Sequence, residues 1–140
     1  MPRKRILVKS IDTSISYQVI GIDLAKHLVS ACLITGAGEI FGIDRLTYDD
    51  LLKSAERMSP TLFCMEPCPE VHYLAEKLQG YGHHTKVIDG AAVKEYIKTH
   101  FGGQKTDLND AQAIAFLSLD TNPSLADSGK QKALNSLIIS

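Results

Sequence analysis

Four acidic residues stand where the character of the chain changes. Asp23 follows the apolar run VIGI, Glu66 follows TLFCM, and Asp107 and Asp110 fall within GQKTDLNDAQAIA. Asp107 and Asp110 are three apart, so a helix carries both on one face. If the strands ending in Asp23 and Glu66 are neighbours, three separate segments deliver four carboxylates to one end of a sheet. Such a set matches two divalent cations about 4 Å apart, an arrangement that clamps the attacking and leaving oxygens of a phosphodiester. Oxygen donors of this kind suit Mg²⁺ or Mn²⁺. Blander roles exist for each residue: helix capping and dipole compensation for Asp107 and Asp110, turn closure for Asp23, a helix N-terminal acid for Glu66. Each signal is weak alone, and their joint order is far more restrictive.

The elements that must position these acids are legible from pattern. VIGID, LVSACLIT and EIFGIDRL read as three antiparallel strands separated by short turns. TYDDLLKSAERM carries Thr47 three residues before Asp50, a capping-box variant, with Leu51, Leu52, Ala55 and Met58 on one face. TLFCM is short and continuously apolar, as a strand covered on both faces must be, and Pro69 then opens the helix PEVHYLAEKLQ. TKVID follows as a fifth strand, AAVKEYIKTH as a third helix, FGG as a breaker and TDLNDAQAIAFLSL as a fourth helix. The small residues behind Asp107 and Asp110 allow that last helix to lie close against a sheet.

The totals bound the answer. A chain of 140 residues suffices for one domain with a real core. With 15 Lys and Arg against 16 Asp and Glu, overall charge selects no nucleic-acid, membrane or acidic partner, and any such partner must come from local patches. Three cysteines without a CxxC pair suit a reducing compartment, the cytoplasm, better than a disulfide scaffold. No apolar run approaches the roughly 20 residues that span a bilayer, so no membrane is expected. Residues 1–17 are expected to form an N-terminal extension, 18–120 the domain, and 121–140 a linker with the start of a connecting helix. In that last segment Ala133, Leu134, Leu137 and Ile138 make an apolar stripe.

Other residues compete for attention. His72, His83 and His84 with Cys64 and Cys68 lack the spacing of a tetrahedral zinc site, and are read as surface histidines and core cysteines. Lys94, Lys98 and Lys105, with His100, form the local basic cluster that would flank the acids. A solvated helix face is one reading; phosphate contact is the other, since a nucleic-acid backbone entering an acidic site needs cations. Arg3, Lys4 and Arg5 admit a nucleic-acid arm, but are read first as an ordinary disordered chain start.

VIGIDLAK, MEPCPEVHYLAEKLQGYGHHTKVI and VKEYIKTHFGGQKTDLNDAQAIA together resemble the DEDD transposases of the insertion-sequence family IS-one-ten, which includes the invertase Piv. The resemblance runs from about Val19 to about Leu119. It implies a ribonuclease-H-like α/β fold close to the Holliday-junction resolvase RuvC: a mixed five-stranded sheet of order 3-2-1-4-5, flanked by helices. It places the four catalytic, metal-holding acids on Asp23, Glu66, Asp107 and Asp110. It implies DNA as substrate, Mg²⁺ or Mn²⁺ as cofactor, a homo-oligomer, and guidance by a structured RNA. Two departures stand out. Cys68, Pro69 and Glu70 occupy the stretch where the family usually has a glycine, and the family's second domain, with its serine nucleophile, has no counterpart before Ser140. The expectation is therefore a domain incapable of strand exchange alone. Two alternatives remain: a noncatalytic nucleic-acid or subunit-binding module, and a nucleotide-binding fold of the actin and sugar-kinase type, which needs no DxxD.

Overall fold

The computed structural model describes residues 4–120. Ten elements follow one another: β1 (Arg5–Leu7), β2 (Tyr17–Leu24), β3 (Leu28–Thr35), β4 (Ile40–Thr47), α1 (Tyr48–Arg57), β5 (Leu62–Met65), α2 (Val71–Gly80), β6 (His84–Val87), α3 (Gly90–His100) and α4 (Asp107–Asp120). They build a mixed α/β domain around a six-stranded sheet of order β1-β4-β3-β2-β5-β6. β2, β3 and β4 are antiparallel neighbours, while β5 joins β2, and β6 joins β5, in parallel.

The sheet thus has six strands where five were expected. The order differs from 3-2-1-4-5 by an added edge strand: β1 pairs in parallel with β4, Arg5 opposite Ile40 and Leu7 opposite Gly42. This strand comes from the segment read as an extension, and Ile11 and Tyr17 of the same segment are buried in the core. A three-residue strand is too short to show a period in sequence, which is why pattern reading passed over it. The apolar stripe at Ala133, Leu134, Leu137 and Ile138 lies outside the described residues.

Each face of the sheet is covered by a helical pair. Ile20, Ile22, Leu33, Ile43 and Phe63 point to one side and pack with Leu51 of α1 and Leu74 and Leu78 of α2. Val19, Cys32 and Cys64 point to the other side, against Val93 and Ile97 of α3 and Ala111, Ile114 and Ala115 of α4. A strand covered on both faces must be apolar throughout, and Phe63, Cys64 and Met65 of β5 are fully buried between β2 and β6. Local caps fix the helix starts. Thr47 Oγ1 accepts the Asp50 N–H at 3.0 Å, and the Asp89 carboxylate accepts the Ala91 N–H at 3.3 Å. Helix α2 begins at Val71, two residues after Pro69, with Glu70 at the cap position and no side-chain cap bond.

One correction concerns the histidines. His72 and His84 are exposed, but His83 is buried. Its Nδ1 accepts the Thr61 N–H at 3.0 Å, and its Nε2 then donates to the Ala55 carbonyl at 2.6 Å. The ring thereby ties the end of α1 to the entry of β5.

Candidate metal centre

The sheet register sets the first two acids side by side. Ile22 of β2 pairs with Met65 of β5 in a parallel ladder, so Asp23 and Glu66, the next residues on each strand, emerge at the same end. Helix α4 brings the other two. Its backbone lies directly on β2, and it opens with Asp107, with Asp110 three residues on and turned inward. Asp110 is almost fully buried whereas Asp107 is exposed.

Asp23, Asp107 and Asp110 each offer a carboxylate oxygen within 4.8 Å of the others. Glu66 stands outside that tight set. It lines an adjoining cleft of about 530 Å³ together with Asp110, Lys94, Lys98 and Lys105, so the three expected lysines and two of the four acids share one opening. The Lys105 ammonium forms a salt bridge with Asp110 Oδ2.

Crowding like charges in a partly dry site raises proton affinity. The Asp23 carboxyl is pushed up to about 7, by burial first and then by the charges of Asp110 and Asp107, with Lys105 opposing. Glu66 is also raised, by burial first and then by Asp110. Lys105 is shifted up in turn, chiefly through its hydrogen bond to Asp110. The cluster is a set of acids short of positive charge.

A divalent cation fits this set on the structure's own evidence. Asp110 Oδ1 is buried and has no hydrogen-bond partner, an arrangement that costs free energy unless something completes it. Its other oxygen already holds a cation, the Lys105 ammonium. The donors are all carboxylate oxygens, one from β2 and two from the start of α4, the hard set that Mg²⁺ and Mn²⁺ take.

Two supporting features escaped sequence reading. A Cβ on Gly90 would lie 3.2 Å from Glu66 Oε2, so the start of α3 sits against the glutamate. The Asp-Gly pair opening that helix was an available signal. Arg5 donates through Nη1 to Asn109 Oδ1 at 3.2 Å and to Gln112 Oε1 at 2.9 Å, a contact across more than a hundred residues that no local pattern announces.

Comparison with known proteins gives a consistent result. The DEDD transposase family of IS110 type, described as "Transposase", matches residues 20–139. The transposase for insertion sequence element IS1111A of Coxiella burnetii is 29% identical over 98 residues, 70% of this chain and 26% of that protein. The transposase for insertion sequence element IS1328 of Yersinia enterocolitica is 28% identical over 96 residues, 69% of this chain and 28% of that protein. The chain therefore spans about a quarter of the length of these curated relatives. Among the described residues, no helix is long and apolar enough to cross a membrane.

Proposed function

Since the chain belongs to the IS110 family of DEDD transposases, we propose that it is the catalytic domain of a DNA transposase, ribonuclease-H-like in fold, acting on phosphodiesters with divalent metal. The observation that carries this reading is the meeting of Asp23, Asp107 and Asp110, with Asp110 Oδ1 buried and unpartnered. In it, Asp23, Asp107 and Asp110 hold Mg²⁺ or Mn²⁺, and Glu66 completes the set from the cleft beside them. When bound, the ions supply charge stabilisation to a phosphodiester under attack.

The chain's own side chains have separate tasks. Lys94 and Lys98, exposed along the cleft, receive the incoming phosphates and set the backbone against the acids. Lys105 neutralises Asp110 until the site is loaded, and its long, mostly exposed side chain is then free to swing to a phosphate. Asp23, with its proton affinity near neutrality, gives up its proton as cation binds. Strand exchange, guide RNA and homo-oligomer assembly belong to this reading at the level of the whole protein, through the family resemblance. A cytoplasmic location fits the unpaired Cys32, Cys64 and Cys68.

The test is thermal. Mg²⁺ raises the melting temperature of the wild-type chain by mass action, and Asp23→Ala abolishes that increment. An increment unchanged in Asp23→Ala would mean that the ions bind elsewhere. No increment in the wild type would favour a noncatalytic module that binds nucleic acid or a partner subunit.

A further inference from the structure

We propose that Arg5 is a positioning residue for the acidic site, acting through the side-chain amide of Asn109; this rests on the metal-binding reading above. Asn109 lies on α4 between Asp107 and Asp110, and it is nearly fully buried. Its Oδ1 accepts from Arg5 Nη1 at 3.2 Å, and its Nδ2 donates to the Gln104 carbonyl at 2.8 Å. Gln104 immediately precedes Lys105, the cation on Asp110. One amide therefore joins the edge strand, the first turn of α4 and the loop that crosses the mouth of the site.

The identity of residue 5 decides which way that amide faces. An arginine has donors and no acceptor, so it can meet only the oxygen end of Asn109. That fixes Nδ2 toward the Gln104 carbonyl. With an apolar residue at position 5 Oδ1 loses that donor, and the amide is held by its bond to the Gln104 carbonyl alone. The tie to the loop would be loosened, leaving the first turn of α4 to rest more heavily on the Thr106 cap, whose Oγ1 accepts the Asn109 N–H at 3.0 Å.

The seat of Arg5 suits this task. A Cβ on Gly42 would lie 3.0 Å from Arg5 Cδ and 3.2 Å from Cγ, so the stem lies across the glycine of the neighbouring strand. A second Arg5 bond runs to Gln112 Oε1 at 2.9 Å, one turn further along α4. The strand that carries Arg5 thus contributes to the site without touching it. Partners that orient metal-holding side chains typically change affinity 10- to 100-fold when lost, and Arg5, one step further out, belongs at the low end.

The experiment is Mn²⁺ titration calorimetry on the full 140-residue chain at a temperature where every variant is folded. Arg5→Met keeps the stem and removes the donors; Arg5→Lys keeps a donor; Gln112→Ala leaves the Asn109 bond intact. Arg5→Met is expected to weaken Mn²⁺ binding about tenfold, with Arg5→Lys restoring most of it and Gln112→Ala staying close to wild type. Wild-type or tighter affinity in Arg5→Met, or equal weakening in Arg5→Lys, overturns the proposal. Should Arg5→Met fail to fold, Arg5→Leu, which also lacks donors, takes its place and must show the same weakening. Failure of the wild type to bind Mn²⁺ overturns the metal-site reading instead, which keeps the two outcomes apart.

Discussion

Gly21 of β2 and Ala111 of α4 are so close that a Cβ on the glycine would lie 2.3 Å from the Ala111 carbonyl oxygen and 2.6 Å from the Ala115 nitrogen. Asp23 is two residues beyond Gly21, and Asp110 is the residue before Ala111. The distance between Asp23 and Asp110 is therefore set by a backbone contact that tolerates no side chain. Gly21→Ala must push α4 off the sheet. Overpacking of this kind costs roughly 1–3 kcal/mol, and with backbone as the obstacle the upper end is expected. Urea unfolding measures it; a wild-type midpoint would show that α4 does not rest on Gly21.

The pH dependence follows from Asp23. Its proton affinity is raised in the folded chain, from the ordinary 3.8 to about 7, so the native state holds a proton that the unfolded state has released. The associated stability is fully present below about pH 4 and is lost as pH rises through about 7. Metal binding runs the other way, since cation must displace that proton. In chelator the wild type should lose stability relative to Asp23→Asn between pH 5 and pH 8, and the increment from added Mn²⁺ should grow over the same range. Parallel pH profiles for the two proteins would contradict the assignment.

The cleft lysines make a prediction in salt. Each phosphate contact to duplex DNA contributes about 0.9 to the slope of log affinity against log salt. Replacing Lys94, Lys98 and Lys105 with Gln should weaken DNA binding and flatten that slope by up to about 2.7, three contacts' worth. An unchanged slope would move the DNA path to another face.

His83 gives a purely structural control. Truncation to Ala strands the Thr61 N–H in the core, at about 1–3 kcal/mol, while the Ala55 carbonyl keeps the Met58 N–H as a donor. Equilibrium unfolding should show a loss of about 1–3 kcal/mol, while the response to Mn²⁺ below the transition stays intact. Loss of metal binding in a folded His83→Ala chain would indicate coupling that the geometry does not suggest.

Local signals in the sequence announced most of the elements. Thr47 and Asp50 marked the start of α1, and the unbroken LFCM run marked a strand covered on both faces. Ala111, Ala113 and Ala115 behind the acids signalled a helix lying close on a sheet, which is how α4 sits. The order in which Asp23, Glu66, Asp107 and Asp110 appear drew attention to one end of that sheet. What escaped was non-local. Arg5–Leu7 is too short to carry a period, so its place beside β4 could come only from tertiary pairing. His83 looked like a surface residue because the ring's two partners, Thr61 and Ala55, are brought to it by the fold. Glu66 sits in the adjoining cleft and not among the three closest carboxylates, a detail of side-chain reach that spacing does not encode.

The most direct test of the metal reading is anomalous scattering from a crystal of this chain soaked in Mn²⁺. The expected result is a peak bounded by the carboxylates of Asp23, Asp107 and Asp110, with Lys105 released from Asp110. Anomalous density absent from this position, with the Lys105–Asp110 salt bridge intact at saturating Mn²⁺, would contradict it.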